Sequence, residues 1–133
     1  MSKLIIHTDG GARGNPGPSG IGVYVTDDRG NVLLEYGEYL GRKTNNQAEY
    51  QAVVVALDKA RELGGTELDF YLDSELVVRQ LRREYRVKDP GLAQLFVQVW
   101  NRLPNFKKVS FTHVRREYNK EADRLVNMAI DRG

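Results

Sequence analysis

The sequence predicts an α/β fold, a mixed five-stranded sheet flanked by helices, with three antiparallel strands followed by two parallel ones. Two observations carry it. Strand-like runs joined by turn residues crowd the first forty positions, and the later strand-like runs are separated by helical stretches with their own start signals. Residues 3–9 hold the apolar run Leu4-Ile5-Ile6 and read as a strand, and residues 20–27, GIGVYVTD, read as a second. Asp27-Asp28-Arg29-Gly30-Asn31 is a turn leading into VLLEYGEYL, residues 32–40, so these strands form an antiparallel meander. Thr44-Asn45-Asn46-Gln47 has the T-x-x-Q spacing of a capping box, ahead of a helix from Ala48 to Leu63 that Gly64-Gly65 ends. LDFYLD, residues 68–73, alternates Leu68, Phe70 and Leu72 with polar positions as a strand does. Ser74 caps a helix to about Tyr85, and Pro90 opens another to about Leu103. Residues 108–114, KVSFTHV, form the last strand. Asn119 then caps a final helix whose Ala122, Leu125, Val126, Ala129 and Ile130 share one face. Helical crossovers make the late strands parallel.

The 133 residues suit one domain, 1–133, with room for a substantial core. A charged fraction of 29% and a hydrophobic fraction of 41% exclude a disordered chain, and the net charge of +2 does not by itself imply a polyanionic partner. The absence of cysteine excludes disulfides, thiolate zinc sites and thiol nucleophiles. The apolar run near the N-terminus is too short for a signal segment, and no later stretch could span a membrane. A cytoplasmic protein, monomeric and without a membrane partner, is the expectation.

Residues 8–20, TDGGARGNPGPSG, raise the functional question, because glycine-rich loops after strands often cradle phosphates. A nucleotide-binding P-loop is excluded: there is no G-x-x-x-x-G-K-[ST] and no lysine in the stretch. Its glycines and prolines turn the chain between two strands while letting backbone come close to a groove. Asp9 heads the stretch, at the end of the first strand, and Asp73 ends the fourth; carboxyl ends of adjacent strands bracket the usual ligand crevice of such sheets. Glu49 lies in the first turn of the long helix and Asp123 in the first turn of the last. Taken one at a time, Glu49 and Asp123 are also explained by the helix dipole, and Asp73 as an N-terminal cap partner of Ser74. Should the four converge, they would repel one another unless protonated or bridged by cations. Oxygen ligands alone favour Mg²⁺ or Mn²⁺ over zinc, and two such ions can hold a phosphodiester between an attacking water and a leaving oxygen.

With "TDGGARGNPGPSGIG" around Asp9, "RKTNNQAEYQAVVVAL" around Glu49, "YLDSELVV" around Asp73 and "NKEADRLVNMAI" around Asp123, the chain resembles type 1 ribonuclease H over essentially its whole length. The resemblance implies a ribonuclease H-like fold and a metal-dependent endonuclease acting on the RNA strand of an RNA–DNA hybrid. It implies 5′-phosphate and 3′-hydroxyl products and two Mg²⁺ ions, with Mn²⁺ as a substitute. Asp9, Glu49, Asp73 and Asp123 match the family's metal-binding acids. By the same match Asn15, Asn45 and Asn46 would contact the hybrid's minor groove, where 2′-hydroxyls are displayed. Thr44, with Arg42, would grip a DNA-strand phosphate.

The chain departs from the family pattern in two places. Only Arg86-Val87-Lys88-Asp89-Pro90 stands where many members carry a basic protrusion. The spacing of Arg79, Arg82, Arg83 and Arg86 instead predicts one helical stripe, either a solvated face or a phosphate-tracking surface. The loop that often holds an assisting histidine is shortened to Arg115-Arg116-Glu117-Tyr118. His7 and His113 read as packing or hydrogen-bonding residues, and Arg116 is the candidate substitute, able to stabilise charge but not to act as a base. Two rivals stay in view: another nuclease of the wider fold, cutting duplex RNA or branched DNA, and a catalytically dead nucleic-acid-binding module.

Overall fold

The computed structural model describes residues 2–133. Its elements run β1 (Lys3–Ala12), β2 (Gly17–Asp27), β3 (Val32–Lys43), α1 (Asn45–Glu62), β4 (Glu67–Leu72), α2 (Glu75–Leu81), α3 (Pro90–Arg102), β5 (Lys108–His113) and α4 (Lys120–Arg132). Single 3₁₀ turns follow α3 and precede α4. The sheet order is β3-β2-β1-β4-β5, with β1–β2 and β2–β3 antiparallel and β1–β4 and β4–β5 parallel.

The alternation that marks each strand also sorts its two faces. Leu4 and Ile6 of β1, Val23 and Val25 of β2, and Leu68, Phe70 and Leu72 of β4 pack with Tyr50, Val53 and Leu57 of α1 and Leu92 and Val99 of α3. On the opposite face, α4 lies across β1, β2 and β3. Its Leu125 Cβ sits 2.9 Å from where a β-carbon on Gly22 would be. Glycine is required there, because any side chain would push the helix off the sheet.

The glycine-rich stretch is mostly strand. β1 continues through Gly10, Gly11 and Ala12, paired with Ile21, Gly20 and Ser19 of β2, and only residues 13–16 turn, across a cis Asn15–Pro16 bond. The ladder with β2 and the nearness of the helices decide this over low strand propensity. Gly10 admits α1, not a nucleic-acid groove: a β-carbon there would lie 2.5 Å from the Glu49 nitrogen.

Three other expectations change. Helix α1 begins at Asn45, so Glu49 lies beyond its first turn, although Thr44 and Gln47 do form the reciprocal capping box. Asn119 occupies the N-cap position of α4 without capping it; its amide nitrogen donates to the Thr8 carbonyl at 2.9 Å instead. Helix α2 ends at Leu81 rather than near Tyr85, since Arg83 adopts a left-handed backbone with φ 63°. The Glu84 amide then bonds back to the Arg79 carbonyl, so Arg79, Arg82, Arg83 and Arg86 do not form a helical stripe.

Candidate active site: a carboxylate cleft

One cleft of about 500 Å³ opens where the C-terminal ends of β1 and β4 meet the N-terminal turns of α1 and α4. Asp9, Glu49, Asp73 and Asp123 all line it, together with Asn45, Asn46 and Arg116. Asp9, Glu49 and Asp73 each place one carboxylate oxygen so that the three atoms lie within 4.8 Å of one another. Asp9 and Glu49 are buried, at 7% and 6% exposure, while Asp73 and Asp123 are half-buried at the rim.

The link between the two buried acids is a single amide. The Gly10 N–H donates to Asp9 Oδ1 at 3.0 Å and to Glu49 Oε1 at 2.9 Å. This leaves Glu49 Oε2 buried without a partner among the described residues. A buried carboxylate oxygen with no donor is costly unless it is protonated or coordinated. Burial pushes the Asp9 carboxyl up to about 7; the contact with Glu49 opposes the rise, and the charges of Asp73 and Asp123 add to it. Glu49 is raised well above its ordinary value, first by burial and then by Asp9. Asp73 is also raised by burial, with the Asn119 amide and Arg116 pulling it back. Oxygen-only donors, mutual repulsion and one orphaned oxygen fit a hard divalent cation. The cluster can hold a metal.

The remaining expected residues sit around this core. Asn15 Oδ1 accepts from the Asn45 amide at 3.0 Å, and Asn45 Oδ1 accepts from the Ala12 amide at 2.8 Å. Both side-chain carbonyls thus staple the β1–β2 turn to the start of α1, which leaves the amide NH₂ groups as the outward donors. Asn46 lines the cleft wall. Thr44 is spent partly on capping, its hydroxyl accepting from Gln47, and Arg42 is exposed on β3 opposite Pro18. Asn15, Arg42 and Thr44 lie beside the cleft rather than in its lining. Arg116 reaches the rim, with Nη2 3.9 Å from Asp123 Oδ1.

The two histidines differ from each other. His7 packs as expected: its ring stacks on Tyr71 at 5.2 Å between centroids, and burial lowers its pKa. His113 does not, being exposed at the last position of the edge strand β5. Asn119 is the site residue that sequence reasoning missed as such. Its place before α4 signals only a cap, whereas its buried bond to the Thr8 carbonyl, 111 residues away along the chain, and its amide contact with Asp73 come from the tertiary fold.

A family model described as reverse transcriptase-like matches residues 7–129. A ribonuclease H of Ruthia magnifica is 31% identical over 153 aligned positions, covering 99% of this chain and 98% of that one. The chain belongs to the ribonuclease H family. A ribonuclease HI of Halobacterium salinarum is 41% identical and covers 97% of this chain. The bifunctional protein Rv2228c of Mycobacterium tuberculosis is 45% identical over 130 residues. The chain spans 65% of the length of the haloarchaeal relative and 36% of the mycobacterial one. Among solved structures, RNase H1 from Halobacterium salinarum superposes with a TM-score of 0.96 at 38% identity, covering 98% of this chain and 99% of that one. LC11-RNase H1, solved in complex with an RNA/DNA hybrid, gives 0.93 at 46% identity, covering 97% of each chain. These matches fix the fold as that of ribonuclease H1.

Proposed function

We propose that this chain is an endonuclease that hydrolyses the RNA strand of RNA–DNA hybrids and leaves 5′-phosphate and 3′-hydroxyl ends. The observation that carries this reading is the approach of three carboxylates within 4.8 Å on the floor of an open cleft, two of them buried. Asp9, Glu49, Asp73 and Asp123 would hold two magnesium ions, with manganese as a substitute. When bound, such ions neutralise charge on the scissile phosphodiester and promote attack by water.

The chain's own residues supply position and selectivity. Asn45 and Asn46 offer amide donors along the cleft wall, and Asn15 offers another from the adjoining turn, chemistry suited to base edges and 2′-hydroxyls in a wide minor groove. Thr44 and Arg42, at the end of β3 and the start of α1, would hold a phosphate of the DNA strand. Arg116, exposed at the rim, would neutralise charge on the substrate phosphate; as a guanidinium it cannot serve as general base. The support for a hybrid substrate comes from the relatives' names and from the hybrid-bound neighbour together with this cleft.

The test is cleavage of end-labelled RNA–DNA hybrid, duplex RNA, branched DNA and duplex DNA of one length, with magnesium, manganese or EDTA, and with product ends mapped. Metal-dependent cutting confined to the RNA strand of the hybrid is expected. Binding without cleavage, or preferential cutting of duplex RNA or branched DNA, would overturn the proposal.

A further inference from the structure

A second surface lies beyond α2, where the predicted arginine stripe is broken. Arg83 occupies the left-handed position that ends the helix, with its amide bonded to the Gln80 carbonyl at 3.0 Å. Glycine is the residue favoured at such a position, because a β-carbon is penalised there. What arginine adds is a guanidinium set 5.3 Å over the ring of Trp100 on α3. Trp100 and Tyr85 are large aromatics left exposed, and Val97 beside them is 52% exposed. Arg79 lies over Tyr85, but its charge is committed to Glu75 and Glu84, and Arg82 is paired with Glu84. Arg83 and Arg86 are exposed and have no acidic partner among the described residues.

We infer that Arg83, Arg86 and Trp100 form a platform for a single-stranded nucleic-acid extension that leaves the cleft. The chemistry discriminates between occupants. Unpaired cations suit a phosphate backbone, whereas exposed aromatic rings gain nothing from a duplex whose bases are stacked inside; together they suit an unpaired strand. Helix α2 links the two surfaces: Ser74, its cap, lines the cleft, and its seven residues rise about 10 Å to Leu81, two residues before Arg83. The inference rests on the hybrid-cleaving reading only for what the strand is attached to.

Trp100 is the chain's single tryptophan, so its fluorescence reports this surface alone. The experiment titrates the metal-free full chain with oligothymidylate, for the wild type and for Arg83→Gly, and measures the melting temperature of both. Quenching that saturates in the wild type is expected, with its Kd at least fivefold weaker in Arg83→Gly and the slope of log affinity against log salt reduced by about 0.7. Because glycine suits the left-handed position, the variant's melting temperature should hold or rise. No quenching, or equal Kd values, would overturn the platform; a lowered melting temperature with unchanged quenching would make Arg83 a packing residue. A second arm compares KM for blunt hybrid and for hybrid carrying a single-stranded tail. A lower KM for the tailed substrate, lost in Arg83→Gly, is expected, and equal KM values in the wild type would overturn the link to substrate. The fluorescence arm contains no cleavage step, so failure of the chain to cut any hybrid would refute the proposed function without deciding the platform.

Discussion

Asp9 is the residue on which the electrostatics of the cleft turn. Its carboxyl titrates at about 7 in the folded protein against an ordinary 3.8, chiefly because it is buried. Between those values the folded chain holds a proton that the unfolded chain has already released. Metal-free protein should therefore lose stability as the pH rises from about 4 to about 7, with the full loss present above that and none below the lower value. A divalent ion held by these carboxylates would replace the proton, so the rise in melting temperature on adding magnesium should be larger at pH 8 than at pH 5. Thermal melts with EDTA or magnesium at both pH values check this; an equal shift would contradict it. Asp9→Asn removes the charge without removing the shape. It should flatten the pH dependence, stabilise the metal-free protein at pH 8 by roughly 1–3 kcal/mol and abolish cleavage.

At the scale of elements, the site depends on how closely α1 can approach β1. Gly10 permits that approach, and its amide bridges Asp9 and Glu49. Gly10→Ala should cost about 1–3 kcal/mol through overpacking against the helix backbone, and should also remove the magnesium-dependent rise in melting temperature. A variant that kept the metal shift would show that the bridge is dispensable. Thr44→Ala removes the cap of α1 and should lower stability by about 1 kcal/mol while raising KM for hybrid, read from denaturant melts and initial rates. Much of this level was legible in the sequence. The capping box at Thr44, the glycine stop at Gly64 and the period of α4 are local signals that involve neighbours along the chain. The extent of β1 and the end of α2 were not. Gly10 and Gly11 stay in a strand because β2 pairs with them, and α2 stops where Arg83 turns left-handed and sits over Trp100. Both outcomes are decided by partners remote in sequence.

At the scale of the whole molecule, the fold gathers residues that spacing alone could not bring together. In the sequence Asp9 and Asp73 stand near strand ends and Glu49 and Asp123 near helix starts, yet capping or the helix dipole offers an innocent local explanation for the last three, and Asp9 proves to lie inside β1 rather than at its end. Only the parallel pairing of β1 with β4, and the placement of α1 and α4 at the same end of the sheet, turns them into one cleft. The resemblance to ribonuclease H points to all four, whereas the anchoring amide of Asn119 and the Gly10 bridge emerge only from tertiary contacts. Among the described residues no helix is long and apolar enough to cross a membrane.

The central claim is that these acids act together as a metal-dependent site on hybrid. Its most direct measurement is the single-turnover rate of RNA-strand cleavage in a labelled hybrid at saturating magnesium, for the wild type, Asp9→Asn and Asp73→Asn. Cutting by the wild type is expected, with a loss of at least about a thousandfold in each variant and both variants still folded by circular dichroism. Turnover near the wild-type rate by either folded variant would contradict it.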